Sequence, residues 1–220
     1  MNEAPVPTNL KELLGALAHG HRSFNSLHLE NLDGVKINLS NCDLKGSRFK
    51  EARFGHADFS NTNLQGCCFQ QALLWGANLS GINASQSFWQ EADLSGCRLQ
   101  RADFRNSLMH RCCLRGVVAA NSNWSSTRLI ESDFRSSLDQ LTDLGGANFE
   151  NADLSFALLQ GANLHGANLK GCCLYGTNLS ESNLNEADLS GCDLRETKLK
   201  EFQLTTSKLE GAIFPRNFMS

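Results

Sequence analysis

The sequence predicts an all-β solenoid, in which the chain winds in repeated coils around a single apolar interior. Between Phe24 and Phe214, 39 positions follow one another at five-residue spacing, and 35 of these centres are Leu, Phe, Trp or Met. Two residues before the centres, 33 of the 39 positions hold Ala, Ser, Thr, Cys or Val, and Asp or Asn is the commonest residue in between. A five-residue step fits neither a helix nor a flat strand, so each unit must turn two side chains inward and then bend.

The inward positions predict a core of stacked layers. Large side chains at the centres fill the interior, and the small residues two positions earlier leave room for them. Four centres depart from this pattern: Gly34, Ala84, Ala119 and Asp139. We expect Trp89 and Trp124 to refill the space that small centres leave. Because no insertion or deletion disturbs the five-residue phase, we expect one uninterrupted array.

The clearest units, from Ala147-Asn148-Phe149 to Ala167-Asn168-Leu169, resemble those of the pentapeptide-repeat family. The resemblance implies a right-handed quadrilateral parallel β-helix, with four units, or 20 residues, in each coil. At 20 residues per coil, the 191 residues of the array make about nine to ten coils. The predicted organisation is an N-terminal segment over residues 1–23, the β-helix over residues 24–214 and a tail over residues 215–220.

The two ends of such a solenoid need covers, because they expose apolar side chains and unpaired backbone groups. Asn9 and Glu12 have the spacing of a capping box, which predicts a short helix over residues 9–19 that closes the first coil. A membrane-binding helix is the alternative, but one Lys and one Glu make no basic face. The apolar residues of the tail either cover the last coil or join two copies end to end, so a monomer and an end-to-end dimer both remain open.

Stacking the chain at 20 residues per coil predicts which outward side chains lie above one another. One column places apolar side chains between two arginines, and the opposite face repeats that arrangement. A third column carries Glu91, Arg111 and Glu131 one coil apart, which predicts a ladder of salt bridges. Exposed apolar residues with arginines at their margin are typical of protein-binding surfaces, although single exposed apolar residues are common in any protein. We predict that the partner-binding residues are Phe88, Leu108, Arg111, Arg128, Val118, Leu138, Leu158 and Arg98.

The residues that could form a disulfide, a metal site or a catalytic site do not have the spacing that such sites need. Six of the nine cysteines lie at inward positions, where a small apolar side chain fits, and the three outward ones are never one coil apart. Cys172 and Cys192 would stack inside the coil, but we expect reduced thiols there. The sequence has no CxxC, HxxxH, phosphate-binding glycine loop or GxSxG motif. We therefore predict no metal, no cofactor and no enzymatic activity.

Charge and hydropathy restrict the cellular compartment and the classes of partner that we expect for the chain. The net charge is −3, from 20 basic and 23 acidic residues, which disfavours direct nucleic-acid binding. No run of 18 apolar residues and no signal peptide are visible, so we expect a cytoplasmic protein without membrane contact. The charge is uneven, since residues 94–135 carry seven Arg against three acids and residues 141–190 carry six acids against one Lys.

These observations predict a non-catalytic protein-interaction module. Its N-terminal helix, the irregular unit at 136–144 and the ending at 210–215 are similar to a family member that regulates heterocyst differentiation in cyanobacteria. That resemblance implies a regulatory protein partner, such as a transcription regulator. The alternative function that the family implies is DNA mimicry, in which an acidic rod binds or protects DNA gyrase or topoisomerase. The near-neutral charge, the arginine-rich middle and the lack of a C-terminal dimerisation helix disfavour that alternative.

Overall fold

The structure is a computed structural model that describes residues 6–216 and residue 218, so predictions that fall on residues 1–5, 217, 219 and 220 lie outside the described residues. Parallel backbone pairing of single residues joins each coil to the next. The paired residues are usually 20 positions apart, as are Ser23 and Asp43. The Phe24 N–H donates to the Asp43 carbonyl at 2.7 Å, and the Asp43 N–H donates to the Arg22 carbonyl at 2.7 Å. Apart from Leu138 and Gln203, each residue that precedes a centre therefore forms one rung of a ladder, and the described part contains no longer strand.

Four such ladders run along the molecule and define its faces. Face A consists of His28, Arg48, Cys68, Phe88, Leu108, Arg128, Asp153, Cys173, Asp193 and Ile213. Face B consists of Asp33, Arg53, Leu73, Asp93, Cys113, Asp133, Leu158, Asn178 and Lys198. Face C consists of Asn38, Asp58, Asn78, Arg98, Val118, Asp143, Asn163 and Asn183. Face D consists of Ser23, Asp43, Asn63, Asn83, Asp103, Asn123, Asn148, Asn168, Asp188 and Lys208.

A tight turn joins each face to the next. At one such corner the Ala57 N–H donates to the Phe54 carbonyl at 3.0 Å, and His56 between them has φ +57°. Positive φ suits Gly and Asn best, and these residues recur at the same position of many units, as at Gly76 with φ +67°. The bend places Phe54 and Ala57 inside, where both are fully buried. The predicted alternation of two inward positions and a bend is confirmed.

Two tryptophans complete the middle of the core. Trp89 stacks on Phe69 with ring centroids 4.2 Å apart, and its indole N–H donates to the Ser87 hydroxyl, which is also bonded to the Ala84 carbonyl. The same arrangement recurs at Trp124, whose indole N–H donates to Ser122 beside the small centre Ala119. Each indole thus extends toward the corner that a small centre leaves open, as the sequence predicted.

The N-terminal helix α1 spans Leu10–Ala18, close to its predicted bounds. Asn9 is the N-cap, since its Oδ1 accepts the Glu12 N–H at 3.0 Å. The Glu12 carboxylate accepts the Thr8 N–H at 2.8 Å, so the return half of the predicted capping box is displaced by one residue. The hydrogen bonds from Thr8 and Asn9 lower the pKa of Glu12. Leu13 is fully buried and belongs to the core of the solenoid.

The C-terminal end contains a short 3-10 helix over Glu201–Leu204 and ends in an aromatic pair. The Gln203 side-chain amide donates to the carbonyls of Leu179 and Ser182, at 3.0 and 2.9 Å. Phe214 stacks on Phe218 with ring centroids 5.1 Å apart, and both pack against the core.

The prediction of an uninterrupted array is wrong in one coil. Val118 pairs with Asp143, and Asn123 pairs with Asn148, so these partners are 25 residues apart instead of 20. Residues 136–140 leave the coil as a loop, in which Asp139 is exposed. An aspartate at an inward centre would place a carboxylate in the apolar core, which is energetically costly. The unit that carries Asp139 is therefore excluded from the coil. Because the excluded unit is one repeat long, the five-residue phase survives, but every later residue lies one face away from its predicted place.

Candidate functional site

The predicted column on face A is confirmed, and we call it the arginine-flanked stripe: Arg48, Cys68, Phe88, Leu108 and Arg128. Its five residues are joined rung to rung by parallel pairing. The Phe88 side chain is 41% exposed. Within the described residues, neither arginine side chain has an ion-pair or hydrogen-bond partner. Four rungs of about 4.8 Å separate the two guanidinium-bearing residues by about 19 Å.

A shallow depression lies over the N-terminal half of this stripe. Its volume is about 510 Å³, and its lining comprises Glu30, Gly46, Ser47, Arg48, Lys50, Gly66, Cys68, Gln70 and Phe88. Cys68 is the small residue between two larger stripe side chains, and a Cβ placed on Gly66 would meet no atom within 4 Å. The lining of the depression therefore combines the Cys68 and Phe88 side chains with charged side chains, among them Arg48, Lys50 and Glu30.

The predicted salt-bridge ladder borders the stripe and is confirmed for one pair. Arg111 Nε lies 2.8 Å from Glu131 Oε2, and this hydrogen bond lowers the pKa of Glu131. Glu91 accepts a hydrogen bond from the Gln71 amide at 2.9 Å. The charge of Arg111 is thus already matched, so this residue belongs to the margin of the stripe and not to its unpaired cations.

The second predicted surface does not assemble. Arg98 and Val118 are neighbours on face C, but the next residue of that face is Asp143. Leu138 lies on the excluded loop, and Leu158 pairs with Asp133 on face B. The assumed stacking of Val118, Leu138 and Leu158 is wrong because the 25-residue coil shifts the register after residue 135. For the same reason face D, which runs from Asp43 to Asn123 at 20-residue spacing, continues through Asn148 and not through Asp143.

The excluded loop is an ordered projection that the sequence analysis missed. The Ser137 N–H donates to the Gln140 carbonyl at 2.8 Å, and the Gln140 N–H donates to the Ser137 hydroxyl at 3.1 Å. At its base, Thr142 Oγ1 accepts the Gly116 N–H at 2.9 Å. Leu138 is fully exposed, and Leu141 is 71% exposed. Asp139 at a centre was the one signal in the sequence that marked this unit.

Ion pairs neutralise part of the arginine-rich middle. Arg105 pairs with Asp103 at 2.7 Å, and Asp133 lies 2.7 Å from Arg135 and 3.8 Å from Arg115. Partial burial opposes ionisation of Asp133, but the hydrogen bonds and charge of Arg135 lower its pKa overall. Together with the Arg111 pair, these contacts leave three of the seven arginines between residues 94 and 135 without an acidic partner in the part of the chain that the structure describes: Arg98, Arg101 and Arg128.

The cysteines are free thiols, and most lie in the core. Burial raises the pKa of Cys67 to about 12 and raises that of Cys97 further. The Cys67 thiol donates to the Leu44 carbonyl at 3.0 Å. In residues 6–216 and 218, no three His, Cys, Asp or Glu side chains come together as metal ligands would. No helix in the same part of the chain has the length and hydropathy to cross a membrane.

Comparison with known proteins identifies the family. A model described as pentapeptide repeats matches eight copies in residues 37–76, 76–111, 140–174 and 172–211, and the internal unmatched interval, 112–139, includes four of the five residues of the excluded loop. The chain is similar to the structure of HetL, a pentapeptide repeat protein involved in heterocyst differentiation regulation from the cyanobacterium Nostoc sp. strain PCC 7120. The identity is 30% and the TM-score 0.78, over 95% of this chain and 94% of that one.

Two further solved structures show more distant similarity. QnrB1, a plasmid-mediated fluoroquinolone resistance protein, is 22% identical with a TM-score of 0.45, over 90% of this chain and 92% of its own. Rfr23 from the cyanobacterium Cyanothece 51142 is 19% identical with a TM-score of 0.26, over 91% of this chain and 99% of its own. No curated protein matches the sequence. Because the repeat model covers more than half of the sequence and HetL is 30% identical over 95% of it, the chain belongs to the pentapeptide-repeat family of right-handed β-helices.

Proposed function

We propose that this chain is a non-catalytic, cytoplasmic protein-interaction module that binds a regulatory protein through the arginine-flanked stripe. The observation that carries the proposal is the contiguous column of Cys68, Phe88 and Leu108 between two arginines whose side chains have no partner among the described residues. An exposed aromatic side chain loses water favourably when a partner covers it, and unpaired guanidinium groups at its margin can then bind acceptors on that partner.

The similarity to HetL supports a regulatory role. HetL is described as involved in the regulation of heterocyst differentiation, and it matches 95% of this chain. We propose an analogous role here, with a protein such as a transcription regulator as partner and without direct contact to nucleic acid or membrane. We further propose that α1 covers the first of about nine to ten coils. The C-terminal tail then either covers the last coil of a monomer or joins two copies end to end.

DNA mimicry toward gyrase or topoisomerase is the alternative function. The acidic residues between 141 and 190 are the observation in its favour. A mimic needs an acidic potential along the whole rod, whereas both ends of the stripe carry an arginine that has no acidic partner among the described residues. We therefore favour the regulatory module.

The experiment compares two variants in affinity capture from extracts of the native host. Phe88→Glu places a carboxylate in the stripe, and Leu73→Glu is the matched control. Leu73 occupies the equivalent repeat position on face B and is 40% exposed, against 41% for Phe88. We expect Phe88→Glu to lose the partner while both variants keep the wild-type melting temperature. Capture that survives Phe88→Glu, or that both variants lose equally, would contradict the proposed surface.

A further inference from the structure

We propose that the occupant of the arginine-flanked stripe is an extended acidic segment, with two carboxylates about six residues apart and apolar side chains between them. This inference rests on the proposed function and specifies the chemistry of the partner. The segment would lie parallel to the solenoid axis, with its carboxylates on Arg48 and Arg128 and its apolar side chains on Cys68, Phe88 and Leu108.

The spacing of the stripe determines the spacing within the segment. Arg48 and Arg128 are four rungs apart, which corresponds to about 19 Å, and an extended chain covers this distance in about six residues. Side chains that share one face of an extended segment alternate, so two intervening positions also face the stripe. They fall about 7 and 13 Å from the first carboxylate, which places one between Cys68 and Phe88 and the other near Leu108.

The depression over Cys68 matches the first of these apolar side chains. Its volume of about 510 Å³ exceeds that of a leucine or phenylalanine side chain, and Cys68 and Phe88 contribute apolar surface to its lining. The open space above Gly66 gives a bulky side chain access from the side of face D. A side chain seated there removes the exposed part of the Phe88 ring from water.

The charges around the stripe favour two isolated carboxylates over a polyanion. Arg128 has no acidic partner among the described residues, although Asp153 is its neighbour on face A; the Asp153 carboxylate accepts the N–H and the hydroxyl of Ser155, at 3.0 and 2.6 Å. The stripe is bordered by acidic side chains: Glu30, Glu91, Glu131 and Asp153. A nucleic-acid strand would bring a phosphate against these acids at every step along the stripe, whereas the peptide brings only two carboxylates, each opposite an arginine.

The probe is the synthetic peptide Asp-Ser-Leu-Ser-Leu-Ser-Asp, labelled with a fluorophore and titrated with the full chain. The matched control peptide has the same composition with both aspartates at one end. We expect the first peptide to bind at least about tenfold more tightly, since only it reaches both arginines. An equal affinity for the two peptides, or no binding of either, would overturn the inferred spacing.

A charge exchange tests the two arginines directly. The double variant Arg48→Glu, Arg128→Glu should bind the aspartate peptide at least about tenfold more weakly. The same variant should gain affinity for a peptide that carries lysines in place of both aspartates. A purely structural role of the arginines would not produce this exchange. Failure of the lysine peptide to bind the double variant, with its melting temperature unchanged, would remove Arg48 and Arg128 from the site.

The native thiols report where the peptide lies. Cys68, Cys113 and Cys173 are the partly exposed cysteines of the described chain, and only Cys68 lies in the stripe. Bound peptide should slow maleimide labelling of Cys68 in a mass-spectrometric assay and leave Cys113 and Cys173 unchanged. Protection of all three thiols, or of none at saturating peptide, would contradict the placement.

Two comparisons distinguish this inference from the proposed function. If the native partner requires Phe88 but the aspartate peptide does not displace it, the stripe is a protein-binding surface with an occupant of another chemistry, and the inference fails alone. If neither peptide nor partner binding depends on Phe88, both fail. Displacement of the peptide by a single-stranded oligonucleotide of matched length, with protection of Cys68, would instead assign the stripe to nucleic acid and overturn both.

Discussion

At the scale of single residues, the paired Ser and Trp side chains show how the repeat accommodates an indole ring. Ser87 accepts the buried indole N–H of Trp89 and also contacts the carbonyl of the small centre Ala84. Alanine is the commonest residue at the position of Ser87 in other units, so its methyl group fits there. Ser87→Ala therefore removes a hydroxyl without a change of shape and leaves the indole N–H without an acceptor.

We expect Ser87→Ala to lower the free energy of unfolding by about 1–3 kcal/mol, because a buried donor without a partner costs more than a lost neutral hydrogen bond. Ser182→Ala is the control, since Ser182 is buried at the same repeat position and donates only to the Leu179 carbonyl, at 2.7 Å. That control should cost about 1 kcal/mol or less. Urea titrations of both variants measure the difference, and equal losses would mean that Ser87 is not needed by the indole.

At the scale of the element, the excluded loop interrupts one corner of the coil without disturbing its neighbours. At corresponding corners an N–H donates to the next coil, as Gly116 does to the Arg135 carbonyl at 3.1 Å. The Gln160 carbonyl is the corresponding acceptor in the next coil, yet it accepts no backbone N–H from the described residues. Removal of residues 136–140 would return Arg135, Leu141 and Thr142 to the spacing of one regular unit and supply that missing donor.

We expect a variant that lacks residues 136–140 and carries Leu141→Gly to melt within a few degrees of the wild type or above it. Glycine is chosen because the shortened unit requires positive φ at that position. Deletion of residues 156–160 is the matched control. It removes a regular unit of equal length and leaves a coil with three sides, which cannot stack on its neighbours. Circular dichroism melts compare the two deletions, and unfolding of the loop deletion would mean that the loop supports the coil.

At the scale of the whole molecule, the sequence could predict the coil because the five-residue phase decides which side chains face inward. Phe88, Leu108 and Arg128 were correctly placed in one column, since every coil between Arg48 and Arg128 has 20 residues. Leu138 and Leu158 were not, because an insertion of one whole repeat leaves the phase intact and shifts all later residues by one face. A search for five-residue periodicity cannot detect such an insertion. It is detectable only through the energetic cost of the residue it would bury, which here is Asp139.

This shift in register predicts a difference between two pairs of introduced cysteines. Asn123 and Asn148 face each other across one rung of face D, about 4.8 Å apart, whereas a constant 20-residue coil would instead pair Asn123 with Asp143. In a background with Cys68, Cys113 and Cys173 changed to serine, a short bis-thiosulfonate reagent should therefore link the Asn123→Cys, Asn148→Cys pair. It should leave the Asn123→Cys, Asp143→Cys pair unlinked, because Asp143 lies on face C. Peptide mapping by mass spectrometry identifies the linked residues, and efficient linking of the second pair would restore the constant coil and, with it, the stack of Val118, Leu138 and Leu158.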